Sequence, residues 1–167
     1  MASTDSEDRI LKTARTRLLT FVPHAHPVLG AATLATRLGS TPSGAGATGK
    51  LYIDQSPDPG AYPYGIMRWP PSGLTGGDDG GYNIRRVIEL QLYGYPRSSA
   101  GSISAMLDVV EQAWRDWCVL VVNDSIVAQR AYGRGIVPYE APADRELVCG
   151  RILLPLYSTP QYKAGAA

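Results

Sequence analysis

Apolar residues recur along this chain with two different periods, and the switches between them outline its elements. Between Thr4 and Pro23, Leu11, Ala14, Leu18 and Phe21 follow at three- and four-residue spacing, while Arg9, Lys12, Arg15 and Arg17 occupy the rest of the circumference. That pattern is one apolar stripe on a helix. Thr4 stands three residues before Glu7 as in a capping box, and Asp5 and Asp8 place negative charge where the first turn's free N–H groups favour it. The clearest helix is expected from about Ala100 to Trp117, with Ser98 or Ser99 as N-cap. There Ile103, Leu107, Val110, Trp114 and Trp117 repeat at four, three, four and three, and Asp108, Glu111, Gln112 and Arg115 take the wet side. At about 1.5 Å per residue it crosses a whole small domain, so it must pack on a sheet. A short helical piece is expected within Ala31 to Leu38.

The period of two marks the strands. Ile84 to Tyr93 is the clearest: Ile84, Ile88, Leu90 and Leu92 share one face and Arg85, Glu89 and Gln91 the other, with Arg86 breaking the alternation at its start. Leu51 to Asp54 and Tyr62 to Trp69 read as strands separated by the turn Ser56-Pro-Asp-Pro-Gly60, and Pro63 puts the start of the second at an edge or bulge. Val119 to Val122, a turn at Asn123-Asp-Ser125, Ile126 to Tyr132 and Leu147 to Tyr157 complete the set, with Pro155 again signalling an edge or bulge. Turns between strands are mostly too short for crossover helices. The fold class expected is therefore α+β: a mostly antiparallel sheet of four or five strands, two helices packed on one face, and long Gly/Pro-rich loops.

Composition sharpens this reading. The 167 residues include 18 Gly and 13 Pro, concentrated between Pro23 and Gly81 and again around Gly133 to Pro142. A single domain spanning 1–167 is expected, with flexible loops at about 23–50 and 70–82 and a short disordered C-terminal tail. Lys plus Arg exceed Asp plus Glu by 16 to 15, so the chain lacks the basic surplus of a dedicated nucleic-acid binder. The acidic start Met1-Ala-Ser-Thr-Asp-Ser-Glu-Asp is unlike a signal peptide, and no stretch reaches the apolar length of a membrane span. A reducing cytoplasm is the expected compartment, with Cys118 and Cys149 as buried free thiols.

Candidate chemistry is sparse. Gly44-Ala-Gly-Ala-Thr-Gly49-Lys50 has the spacing and lysine of a phosphate-binding loop, but Leu51 stands where a Ser or Thr hydroxyl is needed, and a strand follows where a helix N-terminus should receive the phosphates. His24 and His26 can share a metal only if Asp54, Asp58 or the Asp78-Asp79 pair supplies a third ligand, since two ligands do not make a site. No nucleophile elbow and no local Cys–His signature occurs. The chain is expected not to be an enzyme, with no cofactor, metal or catalytic residue. Ten Tyr and three Trp against one Phe suit contact surfaces instead, because each ring offers apolar area with a polar handle.

Several strings, in this order, carry a resemblance: the N-terminal helix, Ala61-Tyr-Pro-Tyr-Gly-Ile-Met67, the long strand Arg86-Val-Ile-Glu-Leu-Gln-Leu-Tyr-Gly94, the helix Ser102 to Trp117, and Arg145-Glu-Leu-Val-Cys-Gly-Arg151. Together they resemble the tail terminator, or tail-completion, proteins of long-tailed bacteriophages and related tail-like particles, across most of residues 5–157. The segment from Pro23 to Gly49 is longer than that family's pattern. The resemblance implies a ring, usually of six subunits, that caps the tail tube, ends its polymerisation and joins the tail to the head-side connector. Its partners would be copies of itself, tail tube protein, the head-completion or connector protein, and double-stranded DNA passing through the lumen without sequence-specific binding, with no membrane. It would be assembled in the host cytoplasm and reside in the virion tail or neck. Tyr62, Tyr64, Trp69, Arg85 and Arg86 are the expected assembly contacts. A domain of this length is a ball about 40 Å across, and six such balls in a ring leave a hole of about the same width, enough for a duplex. Near-zero net charge suits a channel that DNA crosses without sticking. The alternatives are another neck or head-completion connector, a tail tube protein, or a small nucleotide-dependent enzyme built on Gly44 to Lys50.

Overall fold

The computed structural model describes residues 2–24, 30–39, 50–54, 62–70, 74–77, 84–95, 102–119, 126–138 and 147–158. Its elements are α1 (Ala2–Thr20), α2 (Leu34–Leu38), β1 (Leu51–Ile53), β2 (Tyr64–Arg68), β3 (Leu74–Gly77), β4 (Ile84–Gly94), α3 (Ile103–Val119), β5 (Ile126–Ala128), β6 (Tyr132–Pro138) and β7 (Val148–Ser158). The α+β class holds. The strands form one sheet with the order β1-β2-β4-β7-β5; β3 also pairs with β4 and β6 with β7. The sheet is thus five positions wide, with β2 and β3 along one flank of β4, and β6 and β5 along the outer flank of β7.

The helices form where the apolar spacing places them. On α1, Leu11, Ala14 and Leu18 are buried as the stripe requires, joined by Ile10 and Leu19. The helix begins at Ala2, ahead of the expected cap at Thr4, and ends at Thr20. On α3 all five stripe residues are buried, and the rings of Trp114 and Trp117 meet edge to face at 5.0 Å. Its N-terminus falls three or four residues later than expected: the Ser102 hydroxyl accepts from the Ala105 N–H at 3.1 Å, so Ser102 is the cap where Ser98 or Ser99 was expected. α2 is the short expected piece, capped by Thr33, whose side chain accepts from the Thr36 N–H, and closed by Gly39.

Four expectations for the sheet are corrected. First, β1 pairs with β2 in parallel, so the sheet is mixed. A three-residue strand is only about 10 Å long, a span that the ten residues between the two strands are long enough to cover. Second, the loop expected at 70–82 contains β3, which pairs with β4. Third, α3 runs through Val119, so no strand begins there. Fourth, the strand expected from Ile126 to Tyr132 is two strands, β5 and β6, and β6 occupies a stretch assigned to Gly/Pro-rich loop. The expected Asn123–Ser125 turn, most of the 40–49 and 55–60 loops and the C-terminal tail lie outside the described residues.

Pro155 shows how β7 tolerates a proline inside the sheet. On one side β7 pairs with β4 throughout. On the other, β6 pairs with it as far as Leu153 and β5 begins at Leu156, so Pro155 sits where the neighbour changes. Its carbonyl accepts from the Gln129 N–H at 2.9 Å and from Trp114 Nε1 at 3.1 Å. The missing prolyl N–H points the same way as that carbonyl, into the changeover, where no ladder bond is lost.

The core lies between α3 and the even-numbered residues of the two central strands: Ile88, Leu90, Leu92, Ile152, Leu154 and Leu156 are all fully buried with Met106, Leu107 and Val110. Approach is closest at Gly150, where an added Cβ would stand 2.4 Å from Cγ2 of Ile103 and 3.1 Å from Cδ1 of Leu107. Replacing Gly150 by Ala must push α3 off the sheet or force its side chains from their rotamers, and we expect a loss of about 1–3 kcal/mol in denaturant unfolding.

Candidate functional site

The alternation that buries one side of β4 and β7 presents the other to a face that none of the described helices covers. Register across the sheet sets its rows: Tyr64, Tyr93 and Cys149; Ile66, Gln91 and Arg151; Arg68, Glu89 and Leu153. Glu89 is at the centre. Its carboxylate accepts from Arg68 Nε at 2.9 Å and Nη2 at 2.8 Å through one oxygen, and from Arg151 Nε at 3.0 Å and Nη2 at 2.7 Å through the other. Gln91 Nε2 adds a bond at 2.8 Å, and the Tyr93 hydroxyl donates in turn to Gln91 Oε1 at 2.6 Å. Two flanking forks thus satisfy a carboxylate whose side chain is only 4% exposed, while those of Arg68 and Arg151 are 44% and 52% exposed.

Burial alone pushes the Glu89 carboxyl up, but the hydrogen bonds and charges of Arg68 and Arg151 outweigh it, so its pKa lies below the ordinary carboxylate value. The carboxylate is held ionised and fully engaged, which suits a structural anchor and leaves it no proton to exchange near neutrality. Beside it, burial pushes the Cys149 thiol above its usual range, opposed in part by a hydrogen bond with Tyr93. A buried thiol of raised pKa is a poor nucleophile.

Toward the β1 side of this face the tyrosines gather. Tyr64 stacks with Tyr93 at 5.1 Å and with Tyr62 at 5.3 Å; Tyr52 meets Tyr64 edge-on at 6.4 Å, and Tyr95 meets Tyr62 edge-on at 6.2 Å. These five come from three segments that only strand pairing brings together. At the opposite flank lies β6, exposed along its whole length.

The expected contact residues divide between the two sides of the sheet. Tyr62 and Tyr64 belong to the tyrosine cluster, with Tyr64 largely buried beneath its neighbours. Trp69 and Arg86 do not join them: Arg86 lies on the helix-covered side, 6% exposed, with its guanidinium over the Trp69 ring at 5.7 Å. Arg86 therefore keeps the alternation of β4 it was expected to break, since an arginine shelved on an indole can occupy an inward position. In the subunit Arg86 is buried and Trp69 is half-buried against the core. The backbone of Arg85 pairs with Tyr157, and its side chain lies outside the described residues. Sequence reasoning missed Glu89, Arg68 and Arg151, which were read as the wet face or not singled out; no local string announces a bond between residues 62 positions apart.

The remaining candidates gather nothing. Leu51 opens β1 directly after Lys50, so the phosphate-loop string leads into a strand as its sequence implied; residues 44–49 lie outside the described residues. The His24 N–H donates to Gln112 Oε1, while His26, Asp58, Asp78 and Asp79 lie outside the described residues. Among the described residues no group of three or more metal-binding side chains occurs, and no helix is long and apolar enough to cross a membrane. Two open grooves flank α1. One, of about 360 Å³, is lined by Thr13, Thr16, Arg17, Thr20 and Trp117; the other, of about 460 Å³, by Lys12, Arg15, Thr16 and β1. In the first, the Thr16 and Thr20 hydroxyls donate to carbonyls of their own helix, and Arg17 stacks on Trp117 while pairing with Asp116. Neither groove joins a nucleophile to a base. No protein-family model matches the chain, and no curated protein matches it.

The Glu89 network gives a pH prediction. A carboxyl whose folded pKa is depressed contributes stability that is complete above its unfolded value and is lost as pH falls through the folded one. The melting temperature should therefore be level above the ordinary carboxylate range and fall below it. Glu89→Gln, which leaves two guanidinium groups facing a neutral amide, should lower stability by about 2 kcal/mol at neutral pH, discounted for the exposure of both arginines, and flatten the acid limb. Thermal melts of both proteins across pH 3–8 would show it.

Proposed function

We propose that this chain is a structural subunit that assembles with copies of itself into a ring, usually of six, which caps a tail tube and ends its growth, as the tail terminator proteins it resembles do. The observation that carries this reading is the helix-free face of the sheet. It bears a tyrosine cluster at one flank and an exposed strand at the other, and its charges are bound to one another. Such a face supplies rigid aromatic area with polar handles, the composition of protein contact surfaces. The ionisable groups described on it are arranged for holding: Glu89 is held by four hydrogen bonds and by ion pairs with two arginines, and Cys149 is buried.

On this reading the ring is closed by a heterologous contact repeated around an axis, and growth of the tube stops because the far face of the ring lacks the tube's polymerising surface. Its partners are tube protein below, the head-side connector above, and a duplex through the lumen. The residues for assembly are those of the open face: Tyr62 from the expected set, together with Tyr95 and Arg68. Trp69 and Arg86 serve the subunit's own packing.

Electron microscopy of the purified protein, alone and mixed with tail tubes, tests the proposal. The expected result is closed rings seated at one end of each tube, with Tyr62→Ala yielding overlong or headless tails from a folded subunit. Purified filaments would instead indicate a tube protein. Tails of normal length and normal joining with the Tyr62→Ala and Tyr95→Ala variants would sink the assignment.

A further inference from the structure

The two flanks of the sheet are finished differently. At β1 the edge is only three residues long, and the Leu51 carbonyl is taken by Arg15 Nε from α1. At β6 seven residues lie exposed, and they carry three of the four exposed large apolar side chains among the described residues: Tyr132, 47% exposed, Ile136, 44%, and Val137, 57%. Edge strands are commonly shielded by an outward charge. β6 has one charged residue, Arg134, and it is spent inward. Its guanidinium binds Asp108 and Glu111 on α3, and the Ser104 carbonyl and hydroxyl at 3.1 Å. The turn of Arg134 toward α3 follows from a register shift between Tyr132 and Gly135, where Gly133 adopts φ +67.

The ion pairs described in the two regions are opposite in balance. In those beside β6, one arginine faces two carboxylates, leaving one negative charge in excess on partly exposed Asp108 and Glu111. On the open face, two arginines face one glutamate, leaving one positive charge in excess on half-exposed Arg68 and Arg151. The tyrosine cluster and β6 are separated by three strand steps from β2, about 14 Å, and lie toward opposite edges, so they cannot meet within one subunit. A contact that set each region against its own counterpart would place like against like. A head-to-tail contact sets each against its complement.

We infer that the β6–α3 ledge of one copy, with Ile136, Val137, Asp108 and Glu111, seats on the open face of a second copy at Tyr62, Tyr95 and Arg68. This rests on the ring reading and supplies its repeating joint: two different patches, one used by each neighbour, as closure into a ring requires. The contact draws on both apolar burial and opposite charge, so it weakens as salt screens the arginine and acidic excess.

The test uses the full chain and sedimentation velocity. Val137→Arg spoils the β6 end and leaves the tyrosine cluster, three strands away; Tyr62→Glu spoils the cluster and leaves β6. Each variant alone is expected to be monomeric, at least tenfold weaker in self-association than the wild type, and an equal mixture is expected to form a one-to-one dimer and nothing larger. Ile136→Arg and Tyr95→Glu replace either variant that fails a circular-dichroism check of folding. Folded monomeric variants that do not pair on mixing overturn the inference while leaving a wild-type ring intact. Variants that still form rings but no longer seat on tail tubes overturn it too, since the patches would then face the tube. A wild type that stays monomeric both alone and on tail tubes sinks the ring reading itself.

Discussion

The pairing of β4 with β7, eleven residues in unbroken antiparallel register, is the constraint from which the other features follow. Because side chains alternate strictly along both strands, one register assigns every residue to a face, and a slip of one would exchange the faces wholesale. The even positions then present Ile88, Leu90, Leu92, Ile152, Leu154 and Leu156 to α3, with Gly150 giving the helix room to lie close. The same register brings Glu89 between Arg68 and Arg151 on the other face. Core and charged centre are two consequences of one ladder.

That charged centre is a compromise between solubility and contact. An open sheet face of purely apolar residues would aggregate, and one of scattered charges would resist any partner. Here a carboxylate is enclosed by two forks whose outer surfaces remain in water, so the face is polar without holding an isolated buried charge. The tyrosines add stacked aromatic area to the same face, with the Tyr93 hydroxyl bound to Gln91. Arg134 plays the matching part on the other flank, tying β6 to α3 through Asp108, Glu111 and Ser104.

The helices were legible because their signal is local. Three- and four-residue spacing in α1 and α3 names the buried stripe outright, and Ile103, Leu107, Val110, Trp114 and Trp117 are buried in the order the spacing gives. The period of two in β4 was equally plain from Ile88 to Leu92. β3 and β6 were not legible: Leu74-Thr-Gly-Gly77 and Tyr132-Gly-Arg-Gly-Ile-Val-Pro138 each carry two glycines, and are strands only because a long neighbour offers them a ladder. The parallel sense of β1 was hidden for a similar reason, since a turn-rich segment reads as a hairpin until the strand's shortness is known.

Of the candidate site, the tyrosine-rich composition and two members of the tyrosine cluster, Tyr62 and Tyr64, were visible, but their grouping was not. Trp69 and Arg86 look as available in the sequence as Tyr62 and Tyr64, yet the sheet turns the first pair to the helix side and the second to the open side. Composition and periodicity by themselves determined the class of fold, the helices and the central strand. Tertiary structure alone decided which strands are neighbours, and with that which charges neutralise one another and which face is left open. The reason is physical: helix hydrogen bonds and stripes join residues three and four apart, whereas every sheet contact that matters here joins residues whose separation no local pattern encodes.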